Sequence, residues 1–521
     1  MKGSRGKQNT WLVFLVALTM VPCAKAVLFE ATGNPAYNTN APTGSLANSG
    51  WQYEGQWGSF LGTPIASKFF LAAQHIGGSI CEPFVLNGVT YTTVANYDDP
   101  DSDLRIWQVA ESFPANLIAP LYTASSESGK VCVVIGRGTQ RGSPFIWGGV
   151  TNGWFWGTQD GVERWGTNTV GFLAEDQYGH EYVAAYFTSA GMTNECDLSV
   201  GDSSGAMFIK SGSTWELAGI HYAVDGPFSV DGSTTDEFDA AILDVYGLYE
   251  CSDGTCTLQT DHVASAFYST RVSVRISWID SIINSGTNKP PVASFTATPT
   301  NGAAPLTVAF TDTSCGLITG WAWAFGDGST STNQNPSNTY SNPGTYTVQE
   351  IVSGPGGSST STVANLINVY DPFAWWQLNY FGSTTDTDAA AGLDLYGTGM
   401  SNTNKFLAGF TPTDAAASLH IISIATSSTN VIVTYLGASG DTNYLPGIQS
   451  RTNVLDFTTG DASGNYTNGG WQDTGQTNIL GVGLTYDSSG GTGLGTVTNL
   501  TNLGGATSSQ SRYYRVRVLL P

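Results

Sequence analysis

A mainly β chain of several domains is what three features of the sequence predict. Short alternations of apolar and polar residues, such as Asn430-Val431-Ile432-Val433-Thr434-Tyr435, recur with the two-residue period of a strand that buries one face. Between them lie Ser/Thr/Asn clusters and many of the chain's 63 glycines, which is the chemistry of turns. Charged residues make up only 12% of the chain, as many as the aromatics, so little is available for solvated helix faces and helix should be scarce. At 521 residues the chain exceeds what one core can serve, so several domains are expected.

The first segment reads as an export signal. Lys2, Arg5 and Lys7 precede an apolar run from Trp11 to Val21, and Ala24-Lys25-Ala26 supplies the small residues that signal peptidase needs. The run is too short to span a bilayer, so residues 1–26 are expected to be removed, with Val27 as the mature start and the protein secreted. Cys23 leaves with the signal, and Met20 and Pro22 do not suit a lipid-attachment site. The mature chain then sets 15 basic residues against 41 acidic ones, a net charge of about −26. No basic patch remains to gather nucleic acid, and so acidic a surface is repelled by anionic lipid, so neither partner is expected.

Six cysteines remain, an even number that in an exported chain favours disulfides. Cys251-Ser252-Asp253-Gly254-Thr255-Cys256 can close on itself as a small loop, whereas the pairing of Cys81, Cys132, Cys196 and Cys315 stays open. No cysteine spacing combines with histidines as a zinc site would require, and no metal or cofactor is expected.

Chemistry concentrates at Gly201-Asp202-Ser203-Ser204-Gly205. A serine between glycines suits a nucleophile on a tight, exposed turn, but its hydroxyl is inert unless a histidine takes the proton and a carboxylate orients that histidine. Of five histidines, His75 ends the apolar stretch Phe70-Leu71-Ala72-Ala73-Gln74, and Asp103 heads the alternating Leu104-Arg105-Ile106-Trp107. Asp101 is the rival acid, less favoured because Asp103 alone directly precedes the alternation. The order His, Asp, Ser, with these flanking residues, resembles the trypsin/chymotrypsin family of serine proteases. Leu217-Ala218-Gly219-Ile220 is similar to the family's strand after the nucleophile, and Arg271-Val272-Ser273 to Trp278-Ile279 to its C-terminal helix, so the likeness covers residues 27 to 287.

The resemblance implies a chymotrypsin-like double β-barrel acting as an endopeptidase on protein or peptide substrates. Ser203 would attack, His75 would serve as base and then acid, Asp103 would fix the imidazole tautomer, and the Gly201 and Ser203 amides would form the oxyanion hole. Asp202 would pair with a cation, either the Val27 amine or an arginine such as Arg137. For substrate binding it points two ways, since Asp197 stands where basic side chains are recognised and His221 resembles glutamate-selective members. Ser204 departs from the family, which has glycine there, in a place where the backbone needs positive φ. A catalytically impaired binding protein or adhesin is the alternative. A serine esterase is less favoured: Gly-x-Ser-x-Gly fits literally, but such enzymes place the histidine after the serine, where His221 and His262 lack the context of His75.

Pro290-Pro291 cannot continue the preceding helical pattern and marks a boundary. Beyond it, Trp321-Ala322-Trp323-Ala324-Phe325 should face a core on alternate residues, Gly326-Asp327-Gly328 should turn, and Thr345 to Val348 should form another strand. These residues resemble the PKD-type immunoglobulin-like β-sandwich, over 288–370. Such a module implies a spacer or a holder of a polymeric or cell-surface ligand. Residues 371–415 contain a stretch resembling a calcium loop, with Asp394 first and Gly399 sixth, but Tyr396, Thr398 and Lys405 stand where ligands belong, so no metal is expected there. Residues 416–521 alternate again and read as one more β-rich domain.

Overall fold

The computed structural model describes residues 27–189, 192–286, 288–437, 451–459, 471–480, 496–502 and 512–519. The segment read as a signal, 1–26, lies outside them. The described chain is mainly β, with three α-helices, Ile276–Ile283, Pro372–Phe381 and Asn402–Ala408. It divides into two units, residues 1–291 with 315–318 and 354–357, and the remainder.

In the first unit, six strands close into an antiparallel barrel in the order Gly55–Trp57, Phe60–Ala66, Phe69–Ala73, Leu104–Val109, Val89–Asp98, Pro83–Leu86. Its interior is aromatic, with Phe70 stacked on Phe84 at 4.1 Å and Trp57 against Trp107 at 4.6 Å. Gly55 makes that filling possible, because a Cβ there would lie 2.2 Å from the Phe84 ring. The residues that follow build a seven-stranded antiparallel sheet: Arg164–Thr169, Val131–Gly136, Ala206–Ser211, Thr214–Val224, Ala266–Arg271, Glu181–Tyr186, Phe172–Glu175. Strand alternation serves two cores here. Val133 and Ile135 join a cluster with Leu71, Leu104 and Ile106 of the barrel, while Cys132 and Val134 join Val183, Met207 and Phe267.

Two disulfides are present, Cys81–Cys315 and Cys251–Cys256. The second is the small loop expected from the sequence; the first joins residues 234 apart. Cys132 and Cys196 are buried free thiols.

Several carboxyls of this unit, Asp202 buried and Glu163 and Asp225 half-buried, are withdrawn from water without full compensation. Burial pushes Glu163 up to about 8 against the pull of Arg137, and raises Asp202 and Asp225 each to about 6. A carboxyl whose folded pKa is raised contributes stability that is complete below the unfolded value and is lost as pH rises through the folded value. The melting temperature should therefore fall between about pH 4 and pH 8, over the window set by these groups. Glu163→Gln should flatten the upper part of that fall in a thermal melt series; an unchanged slope would exclude Glu163 as a contributor.

In the second unit, a three-stranded sheet, Phe295–Thr298, Leu306–Asp312 and Ser337–Tyr340, accompanies a five-stranded one containing Gly320–Ala324, Gly344–Gly354 and Gly357–Tyr370. The Trp/Phe alternation works as its period requires: Trp323 and Phe325 are buried with Phe310, Val348 and Ile367, and the Trp323 indole donates to the Asn333 carbonyl at 2.9 Å. Farther on, strands His420–Ser427, Asn430–Gly437 and Thr496–Asn502 form one sheet and Gln472–Leu480, Arg451–Thr459 and Arg512–Leu519 another, around Val433, Tyr435 and Leu455.

Candidate active site

The barrel strand Phe69–Ala73 carries the chain to His75, and its neighbour Leu104–Val109 begins one residue after Asp103, so register brings the two together. The Gln74 amide donates to the Asp103 carbonyl at 2.6 Å. Asp103 then grips His75 twice: Oδ1 accepts from the His75 backbone N–H at 2.9 Å, and Oδ2 lies 2.6 Å from ring Nδ1. A carboxylate on Nδ1 holds the proton there and turns Nε2 into the free base. Asp101, the rival, is exposed and pairs with Arg275 at 3.1 Å instead.

Ser203 follows a turn in which the Asp202 amide donates to the Ser199 carbonyl and the Gly205 amide to the Asp202 carbonyl, both at 3.0 Å. Among the described residues, the Gly201 and Ser203 amides donate to no backbone carbonyl, and Gly201 has φ of +92°. Asp202 turns inward. Its carboxylate accepts from Gly138 N–H at 2.7 Å, Ser199 N–H at 2.9 Å and the Ser199 hydroxyl at 3.0 Å, with the Arg164 guanidinium favouring its charged form at longer range. Arg137 bonds the Gly161 carbonyl, and Val27 is buried beside Cys196 and Leu198. The sequence signal for this arrangement is the pair Gly136 and Gly138, where a Cβ would lie 2.1 and 2.5 Å from the Asp202 carboxylate.

Ser204 has a different occupation from its neighbour. Its hydroxyl accepts from the Ala73 N–H at 2.9 Å and donates to the Leu61 carbonyl at 2.8 Å, tying the turn to two barrel strands. Its φ is +67°. Ser204→Ala would leave the buried Ala73 amide unpaired, which costs about 1–3 kcal/mol. A lowered melting temperature is the expected outcome; an unchanged one would show that these two hydrogen bonds do not hold the turn.

A cavity of about 330 Å³ opens at Ser203, lined also by Trp156, Leu198, His221, Tyr222 and Asp239. His221 is buried, its Nδ1 2.9 Å from the Ser269 hydroxyl, and burial drives its pKa down to about 3, so the ring is neutral. Asp197 is not among the residues that line this cavity. Its carboxyl meets the Leu198 N–H at 2.9 Å and the Ser265 hydroxyl at 3.2 Å, and burial holds its pKa well above the usual range.

In the 371–415 segment, the Asp394 carboxylate accepts from the Thr398 and Gly399 amides at 2.9 and 2.6 Å, and Lys405 is buried with Nζ 3.3 Å from the Asp414 carbonyl. The turn's own amides thus occupy the one acid of the loop. Calcium should leave the melting of the chain unchanged, and a calcium-dependent shift abolished by Asp394→Ala would contradict this.

Comparison with known proteins identifies one segment. Residues 288–369 match the PKD domain family, so the chain carries a PKD domain. Similar solved structures include the PKD1 domain of the Vibrio cholerae metalloprotease PrtV, at 30% identity over 15% of this chain and 98% of that one, with a TM-score of 0.14. The PKD1 domain of Vibrio anguillarum Epp is likewise 30% identical, over 16% of this chain and 99% of that one, with a TM-score of 0.14. No curated protein matches the chain.

Proposed function

We propose that residues 27–287 are a trypsin/chymotrypsin-like serine endopeptidase domain, secreted with an attached PKD domain. The observation that carries this reading is the double grip of Asp103 on His75, a histidine and an aspartate whose order before Ser203 matches the family. In the proposed reaction the Ser203 Oγ forms a bond to the scissile carbonyl carbon while its proton passes to His75 Nε2. The oxyanion is received by the Gly201 and Ser203 amides, and the proton then goes to the leaving amine as the C–N bond breaks. On this reading the seven-stranded sheet would stand where the family has its second barrel. The cavity at Ser203 receives the side chain preceding the cleaved bond. Its neutral His221 would meet a glutamate as a hydrogen-bonding group, whereas Asp197, outside the lining, would not touch a basic residue there. The PKD domain is a spacer or a holder of a polymeric or cell-surface ligand.

A second reading, a protease-like protein that binds without cutting, is favoured by Ser204, which keeps a side chain at positive φ where the family has glycine. Labelling with a fluorophosphonate, peptide mapping and a peptide-hydrolysis assay separate the two. Label on Ser203 with peptide-bond cleavage supports the enzyme; a folded protein that takes no label supports the binder; label with ester but no peptide hydrolysis points to an esterase.

A further inference from the structure

One exposed aromatic residue stands beside the proposed base. Tyr222 follows His221, whose N–H and C=O bond Gly205 and Ser204 and so fix the strand to the nucleophile turn. The strand's register with Ala266–Arg271 slips here, since His221 faces Ser269 but Ala223 faces Tyr268, leaving Tyr222 as the extra residue of a bulge. A bulge re-aims the side chain it carries. The Tyr222 ring, 38% exposed, meets the His75 imidazole edge to face, with centroids 5.7 Å apart and planes at 81°.

That ring is itself braced. Tyr182, buried on strand Glu181–Tyr186, stacks on it at 4.9 Å and 18°. The Tyr182 hydroxyl donates to Asp176 Oδ2 at 3.1 Å, and Asp176 Oδ1 is held by the Tyr178 and His180 amides at 2.8 and 3.0 Å. A continuous line of packed or bonded groups therefore runs from the 176–180 turn to His75.

We propose that Tyr222, braced by Tyr182, is a positioning residue for His75; this rests on the protease reading above. An imidazole held by Asp103 only along its Nδ1 edge can still tilt about that contact. The Tyr222 ring, in edge-to-face contact, walls off the tilt, so that the imidazole keeps one orientation for the step in which it takes the Ser203 proton.

The test uses the full chain and a small fluorophosphonate probe, with which the Ser203 Oγ forms a bond to phosphorus, its proton moves to His75 and fluoride leaves. Tyr222→Ala should lower the labelling rate at saturating probe on the order of tenfold. Tyr222→Phe should restore it to within about twofold, and Tyr182→Ala should give a smaller loss than Tyr222→Ala. Tyr222→Leu keeps bulk without an aromatic face and should remain impaired even if the alanine variant does not fold. Wild-type labelling in Tyr222→Ala or Tyr222→Leu, or failure of Tyr222→Phe to rescue, overturns the proposal. A wild type that takes no label fails the protease reading instead. In that case the proton resonance of the His75 Nδ1–H still decides the positioning role: displacement in Tyr222→Leu but not Tyr222→Phe upholds it, and no displacement overturns it.

Discussion

Ser203→Ala and His75→Ala are each expected to remove nearly all peptide hydrolysis, on the order of a thousandfold or more, and the double variant should lose little beyond either one. In the proposed reaction the hydroxyl and the imidazole act in a single step: without the base the nucleophile would keep its proton, and without the nucleophile the base would have nothing to activate. Asp103→Asn should also be severe, because an amide can donate to Nδ1 and favour the wrong tautomer. Ser204→Ala is the internal control. Its hydroxyl is bonded to Ala73 and Leu61, so its loss should appear in stability far more than in rate. Residual activity in Ser203→Ala comparable to the wild type would end the assignment of the nucleophile.

What the sequence disclosed depended on whether the signal was local. The Trp323/Phe325 alternation, the turn at Gly326-Asp327-Gly328 and the closure of Cys251 on Cys256 need only neighbouring residues, and each is present in the structure. The choice of Asp103 over Asp101 also rested on a local fact, the start of the apolar alternation. Strand pairing then brings Asp103, and not Asp101, beside Gln74. The mainly β character followed from composition and period in the same way, whereas the expected double barrel is met by one closed six-stranded barrel and a seven-stranded sheet.

The rest was carried by contacts between distant residues, which leave no periodic trace. Cys81 and Cys315 are far apart in sequence with nothing nearby to mark either as the other's partner. The partners of Asp202 were sought among cations, but the structure supplies backbone amides through Gly138 and Ser199, and only the Gly136/Gly138 pair hinted at so close an approach. Ser204 read as a departure that strains the turn, whereas its two hydrogen bonds give the side chain a structural task. Tyr222 was missed altogether. Its direction is set by a one-residue register slip, which strand alternation cannot reveal.

The largest expected effect on stability lies away from the site, at Arg271. Its guanidinium bonds Glu127 through two parallel contacts of 2.9 Å and reaches Glu181 at 2.5 Å, while the Ser273 hydroxyl donates to Glu127 at 2.5 Å. Glu127 is completely buried. Arg271→Ala would therefore strand a buried carboxylate, and removing one partner of such a pair costs about 3–5 kcal/mol. Glu127→Ala should cost less, since Arg271 keeps the half-exposed Glu181, and a Glu127→Leu/Arg271→Met pair should recover much of the loss because no charge is left unpaired. Burial by itself would raise the Glu127 pKa, but Arg271 and Ser273 overcome it and hold the carboxyl below its usual range. Stability from a depressed carboxyl is present above the unfolded pKa and lost as pH falls through the folded one. In Arg271→Ala the same carboxyl can take up a proton and escape its unpaired charge. The gap between wild type and Arg271→Ala in a denaturant series should thus be widest near neutrality and close as pH falls below about 4. A gap under about 1 kcal/mol, or one that does not change with pH, would show that this ion pair does not hold strand Ala266–Arg271 in place.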